Sequence, residues 1–348
     1  MNKLAYNTSF SIMKGLAIIS VVLGHCAIHP FINDFVNQYH LAVFFFVAGY
    51  FFKTKSLTNF KSYALKRIKR LYIPFITYGL VFLLLHNILC DLYIYDGKLD
   101  GSEIVLGGVK LILRLVSSES LMGAMWFCPA LLIVSLLSFF LFGISNRFNL
   151  SNFYLFALAF FIGWVGCSCH IKSPYCIWQS LQICAIFYSG YAFRHYQYIF
   201  SGQQKKLLFL FVSIIFIYVM TKLELYAHLQ PANINNENSL IILLISCVGS
   251  IGMYCLASLL NETKVGGVIS VCGNYSFSIM ALHFLSFKSI NAIQCLIYGY
   301  DLTMISSFPC LRLDNGWWVV YLLTGLILPI LSSYIYNKII FYVRSCCN

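Results

Sequence analysis

The chain has 348 residues, of which 60% are hydrophobic, 17% aromatic and only 10% charged, and its mean hydropathy is +0.81. These values exclude an ordinary soluble protein and point to an all-α polytopic membrane protein. The net charge of +12 does not indicate a nucleic-acid partner, because the basic residues lie in loops between apolar runs without a basic-aromatic groove pattern.

Apolar runs predict ten spans, near 10–28, 39–52, 72–89, 122–144, 153–169, 177–193, 207–222, 239–260, 268–294 and 317–341. A bilayer requires about 20 residues per helix; the second run is short and the ninth long. Only loops remain, so the expectation is a single integral-membrane domain over 1–348 with no separate soluble domain. The first run follows Lys3 as a signal peptide would, but Lys14 interrupts it and no small-x-small cleavage site follows, so it is read as retained.

Charge tests this count independently. With the N-terminus cytoplasmic, the inner segments hold fifteen basic residues and one acid, Glu262. The outer segments hold six basic residues and ten acids. Ten spans then place both termini in the cytoplasm, and the basic residues left inside spans are Lys14 and Lys288. In the outer segment 90–121, Ile104, Leu106, Val109, Leu111, Ile112 and Leu115 suggest an amphipathic helix at the interface. The inner segment 53–71 is read as a basic loop leading to Pro74. The fourteen cysteines are scattered through apolar runs with no CxxC pair and no spacing suited to zinc; they are read as packing residues, and no metal site is expected.

The stretch Lys14 to His25, KGLAIISVVLGH, puts two costly groups into the first span. Eleven positions on a helix bring them to one face, about 16 Å apart, with Ile18 and Val21 between. Ionisable groups in spans by default line a protein interior or a cavity. His40, Trp126, His283 and Lys288 fall at a depth similar to His25, either as a shared pocket or separately as interfacial anchors, packing groups or a snorkelling lysine. Pro129 is expected to open the helix after Trp126. On the inner side, Arg67 and Arg70 in KRIKR are either headgroup anchors or a phosphate clamp.

The same residues carry a resemblance. KGLAIISVVLGH resembles the basic-x10-His signature of the membrane acyltransferase-3 family, particularly its fucose 4-O-acetylase-like, polysaccharide O-acetyltransferase branch. YHLAVFFFVAGYFF, KRIKRLYIPF, MWFCPALL and SFSIMALHFLSFK are similar to four further motifs of that branch, in order. Two positions depart from it: Ser11 stands where the family has an aspartate, and Cys128 where it has leucine. The resemblance implies an acyl-CoA donor, commonly acetyl-CoA, with no permanently bound cofactor, and a hydroxyl acceptor on a cell-surface carbohydrate or its lipid-linked precursor. It also implies residence among the lipids of a bacterial inner membrane. On that reading Arg67, Arg70 and Lys14 hold the donor's phosphates, its pantetheine arm follows Ile18 and Val21, and Lys14 and His25 are catalytic. An unperturbed histidine, with a pKa of about 6.5, suits removal of the hydroxyl proton, and an acyl-histidine relay is the alternative. Lys288 or His283 would donate to the developing oxyanion. A transporter would instead call for pseudo-repeats with interrupted helices, which the sequence lacks, and a scaffold would not need Lys14 paired with His25.

Overall fold

The computed structural model describes residues 3–26, 29–53, 59–168, 177–227, 229 and 239–346, and their regular structure is helical. Lys55, Lys172, Glu237, Cys169 and Cys347 lie outside the described residues. The helices are α1 (Lys3–Cys26), α2 (Pro30–Asn37), α3 (His40–Tyr50), α4 (Phe60–Arg67), α5 (Ile73–Asp91), α6 (Gly101–Arg114), α7 (Phe127–Arg147), α8 (Asn152–Ser168), α9 (Ile177–Tyr196), α10 (Gln203–Lys222), α11 (Ser239–Leu259), α12 (Lys264–Asn274), α13 (Ser276–Tyr298) and α14 (Trp317–Cys346). Seven of the described segments are long and apolar enough to cross a membrane: Thr8–Cys26, Phe60–Asp91, Phe127–Arg147, Gln203–Lys222, Leu240–Leu259, Ser276–Tyr298 and Trp317–Ile340. The short second run is α3, whose 11 residues rise about 16 Å, half of a hydrocarbon core of about 30 Å. It is enclosed by protein, with every residue buried except Ala48.

Three local features differ from expectation, each for a chemical reason. The basic segment 53–71 is helical from Phe60 and runs into α5 through a π-turn at Ile68–Tyr72. Pro74 has no N–H to give the Arg70 carbonyl; the chain widens instead, with the Ile73 N–H reaching back to Ile68 O. The long ninth run is two helices, α12 and α13, separated at Tyr275. Pro129 does not kink α7, because it occupies the helix's first turn, where the missing donor has no intrahelical partner to lose.

The amphipathic segment does fold, as α6, opened by a capping box in which Asp100 and Glu103 each bind the other's backbone N–H. It folds back along α5: Gly107 faces Leu83 and Leu111 faces Gly79, and the Tyr72 hydroxyl donates to Ile112 O at 3.0 Å.

Contacts sort the connections into two ends. At the end where α1 finishes, Lys222 lies over the Phe31 ring, Gln38 binds Leu225 O and the Ala227 N–H, and the Cys310 thiol donates to His25 O. The segments there carry Asp34, Asp91, Asp96, Asp100, Glu103, Glu119, Glu224, Asp301 and Asp314. At the opposite end Phe10 packs on Tyr50 and Phe51, the Tyr50 hydroxyl donates to Gln197, and Arg194 binds Phe52 O. Backbones meet directly where glycine permits it. A Cβ on Gly49 of α3 would land on the Phe187 carbonyl of α9, and one on Gly190 of α9 on the Phe46 carbonyl of α3. Gly273 of α12 and Gly15 of α1 make the same reciprocal contact with Ser11 and Ile269.

Gly49→Ala is therefore expected to destabilise the protein by about 1–3 kcal/mol, read as a lower thermal midpoint in detergent. Gly267→Ala, where an added Cβ meets nothing within 4 Å, should be neutral or slightly stabilising, as alanine is in a helix interior. An equal loss in both variants would contradict the close-approach account.

Candidate active site

His25 is the penultimate residue of α1 and is half-buried. Its ring stacks on that of His283, with centroids 5.4 Å apart and planes 21° apart, and packs on Phe284 at 4.7 Å. Helix α13 thus brings the second histidine to the first. His283 Nδ1 faces two main-chain carbonyls, Ile279 O at 2.9 Å and Met280 O at 3.1 Å. Carbonyls only accept, so Nδ1 carries the proton and, in the neutral ring, Nε2 presents a lone pair. That Nε2 is buried and has no hydrogen-bond partner among the described residues, a rare condition that calls for an explanation.

The segment before α7 closes one side of the pair. Gly123 lies against the Phe284 and Phe308 rings, and three residues later Trp126, half-buried, leads into α7. Phe127 wedges against Phe44 and Phe45 at 5.5 and 4.7 Å, which ties α7 to α3 one turn beyond His40. His40 is not an interfacial anchor: it is only 3% exposed, with Nδ1 held by Val36 O at 2.6 Å. The distances define His25 with His283; Trp126 and His40 are brought to the elements around them.

Lys288 neither snorkels nor points at the histidines. It is 3% exposed, and its Nζ donates to Ser306 O at 2.7 Å and Ser307 O at 2.8 Å. Asn291 and Gln294, each three residues further along α13, bind Ile305 O, Ser307 O and Arg312 O, and the Tyr321 hydroxyl of α14 joins both. One polar stripe of α13 therefore holds the 302–313 segment, which folds onto the site: Phe308 packs on Phe284 at 4.7 Å, and Cys310 reaches His25 O. Burial pushes the Cys310 thiol well above its ordinary range, so it remains a neutral S–H donor.

At the other end of the strip, Lys14 is half-buried, and among the described residues it has neither an ion pair nor a hydrogen bond. Ile18 and Val21 are 0% and 2% exposed, so the strip from Lys14 to His25 is packed shut. Arg67 lies over the Tyr63 ring at 5.1 Å, and Arg70, in the π-turn, is exposed. A further guanidinium that sequence reasoning used only for topology, Arg194, lies over Tyr191 at 5.4 Å. Phe52 packs on both Tyr63 and Tyr191, at 6.0 and 6.5 Å, and so links the two arginine-bearing rings.

Sequence reasoning also missed His86 and Glu119, buried and 2.9 Å apart, which became neighbours only by folding. The Lys288, Asn291, Gln294 stripe was visible as an i, i+3, i+6 pattern.

A helical integral membrane protein with two stacked histidines beneath a tethered loop, and about three turns earlier on the first histidine's helix a lysine with no ion pair or hydrogen bond among the described residues, is the class that fold and site define. The model of an acyltransferase domain, acyltransferase 3, matches residues 7–337. The chain belongs to that family and is a membrane acyltransferase. No curated protein and no solved structure matches it.

Replacing Lys288 by Met leaves the half-buried Ser306 carbonyl without a donor, while Ser307 O keeps Asn291, at a cost of about 1–3 kcal/mol. Amide hydrogen exchange across 302–313 is expected to rise about tenfold while exchange in α7 stays unchanged; unaltered protection of the loop would refute the tether.

Proposed function

We propose that the protein is an acyl-CoA-dependent O-acetyltransferase of the fucose 4-O-acetylase-like branch. It moves an acetyl group from acyl-CoA to a sugar hydroxyl of a cell-surface glycan or its lipid-linked precursor, within one domain in a bacterial inner membrane. The observation that carries this reading is the stack of His25 on His283 at the end of α1, with Lys14, about three turns earlier on the same helix, uncompensated among the described residues.

On this reading the Lys14 end faces the cytoplasm, as the basic loops require. Lys14, Arg67 and Arg70, with Arg194, hold the donor's phosphates through charge-assisted hydrogen bonds. The pantetheine arm passes beside Ile18 and Val21, which requires the helices packed on them to part. At the thioester, the acceptor hydroxyl gives its proton to His25 as its oxygen bonds to the acyl carbon. The carbon–sulfur bond breaks, and the CoA sulfur leaves with a proton returned from the imidazole. Lys288 spends two of its N–H groups on the 302–313 loop, so it acts as a positioning residue. The lone pair on His283 Nε2 accepts from His25 or from the sugar and orients it.

His25→Ala in purified protein reconstituted with lipid, labelled acetyl-CoA and a panel of lipid-linked sugars is expected to lose about 10²–10⁴-fold in transfer without loss of helicity; wild-type labelling by mass spectrometry would overturn the assignment. Arg67→Ala and Arg70→Ala should each raise the acyl-CoA KM about tenfold with little change in the acceptor KM, and unchanged donor KM in both would return them to headgroup anchors.

A further inference from the structure

At the His25 end, two polar loops enclose a cavity of about 220 Å³. One wall is formed by Tyr93, Tyr95, Asp96 and Lys98, and the other by Thr303 and Ser306. We propose that this cleft is a saccharide subsite, holding a neutral sugar unit that flanks the one whose hydroxyl reacts at His25. The proposal rests on the acyl-transfer reading for its connection to His25.

Both walls are built before any ligand arrives. On the first, His86 Nε2 and the Cys90 thiol bind Gly97 O at 3.0 Å each, and Asn87 exchanges two hydrogen bonds with Leu99 at 2.8 Å. His86 is itself fixed by Glu119, and Tyr95 stacks on it at 4.4 Å and 12°. The second wall is the loop that Lys288 and Asn291 tether. Such preorganisation lowers the entropy lost on binding. Tyr93, in the left-handed conformation (φ +58°) that ends α5 with its N–H on Cys90 O and the Ile94 N–H on Leu89 O, is 42% exposed.

The chemistry selects a sugar over a lipid phosphate. The lining carries one cation, Lys98, which Asp91 engages at 2.6 Å, and one acid, Asp96, so it has no excess positive charge to hold a phosphate, and Asp96 accepts from hydroxyl donors. Tyrosine rings offer flat apolar faces with a polar tip, and the Thr303 and Ser306 hydroxyls, whose protons go to Asp301 Oδ1 and Thr303 O, offer lone pairs that accept from sugar hydroxyls. The volume lies below the 300–1,000 Å³ typical of drug-sized ligands, on the order of one ring. Phe308 and Phe284 connect the cleft to the histidines: the Ser306 carbonyl that seats Lys288 is two residues from Phe308, which packs on Phe284 beside His25 and His283.

The test uses the full chain in nanodiscs without acetyl-CoA, probed by saturation-transfer NMR with the methyl glycosides of glucose, galactose, mannose, fucose and N-acetylglucosamine. At least one glycoside should receive saturation. Its binding should weaken about tenfold in Tyr93→Ala and in Asp96→Ala, both exposed positions, and persist in Tyr93→Phe, which keeps the ring face. Saturation transfer from none of the glycosides, equal transfer in wild type and both alanine variants, or competition by glycerol phosphate would each overturn the subsite. Because no donor is present, these outcomes leave the acyl-transfer reading standing, and that reading fails only if labelled acetyl is never transferred.

Discussion

The structure depends on one constraint: a polar group carried into a bundle of membrane helices must find its partners inside the protein, because lipid offers none. Lys288 meets it through main-chain carbonyls rather than a carboxylate. A loop that satisfies a buried ammonium cannot wander, and the 302–313 segment is therefore fixed at its middle by Lys288 and Asn291 and near its end by Gln294 and Tyr321. Fixing it puts Phe308 on Phe284, and Phe284 touches both histidines. The site's outer boundary is thus a consequence of hydrogen-bond satisfaction several residues away.

The same accounting separates the two histidines. His283 gives its proton-bearing nitrogen to its own helix, at Ile279 and Met280, and is left with one lone pair and no freedom to turn. His25, next to the last residue of α1, has no such anchor beyond ring contacts among the described residues. A rigid acceptor beside a ring that can respond to a ligand is a division of labour that two equivalent histidines would not provide. The Nε2 of His283, without a partner among the described residues, is costly in an empty core and would be useful if the proposed acceptor hydroxyl binds there.

Helix positions were legible in the sequence because hydrophobic runs and charge segregation report independently on the same topology. Among the described residues, the acids that the charge pattern assigned to one side gather at one end of the bundle, at α2, after α10 and in the 91–126 and 299–316 connections. What misled was backbone detail. Pro74 signals a helix start when met after a basic loop, yet in the structure it is tolerated inside a continuous helix by a π-turn, which no hydrophobic pattern encodes. The two halves of the ninth run are equally apolar on both sides of Tyr275, so periodicity cannot see the break. Of the site, the motif residues were visible because they are chemically out of place in a span. His86 with Glu119, 33 positions apart, was not, because that pairing exists only once the 91–119 connection folds back along α5.

Charge segregation does more than orient the chain. If the donor is a CoA thioester, it carries several negative charges, and the basic end that includes Lys14, Arg67, Arg70 and Arg194 attracts it over distances up to about a Debye length. The acid-rich end repels it. A carbohydrate acceptor, if that is the second substrate, would be indifferent to that field and would be met by carboxylates and tyrosines. The pattern that fixes which way the helices cross would thereby also fix which substrate enters from which end. α1, with Lys14 midway along it and His25 next to its last residue, is the element along which the two would meet.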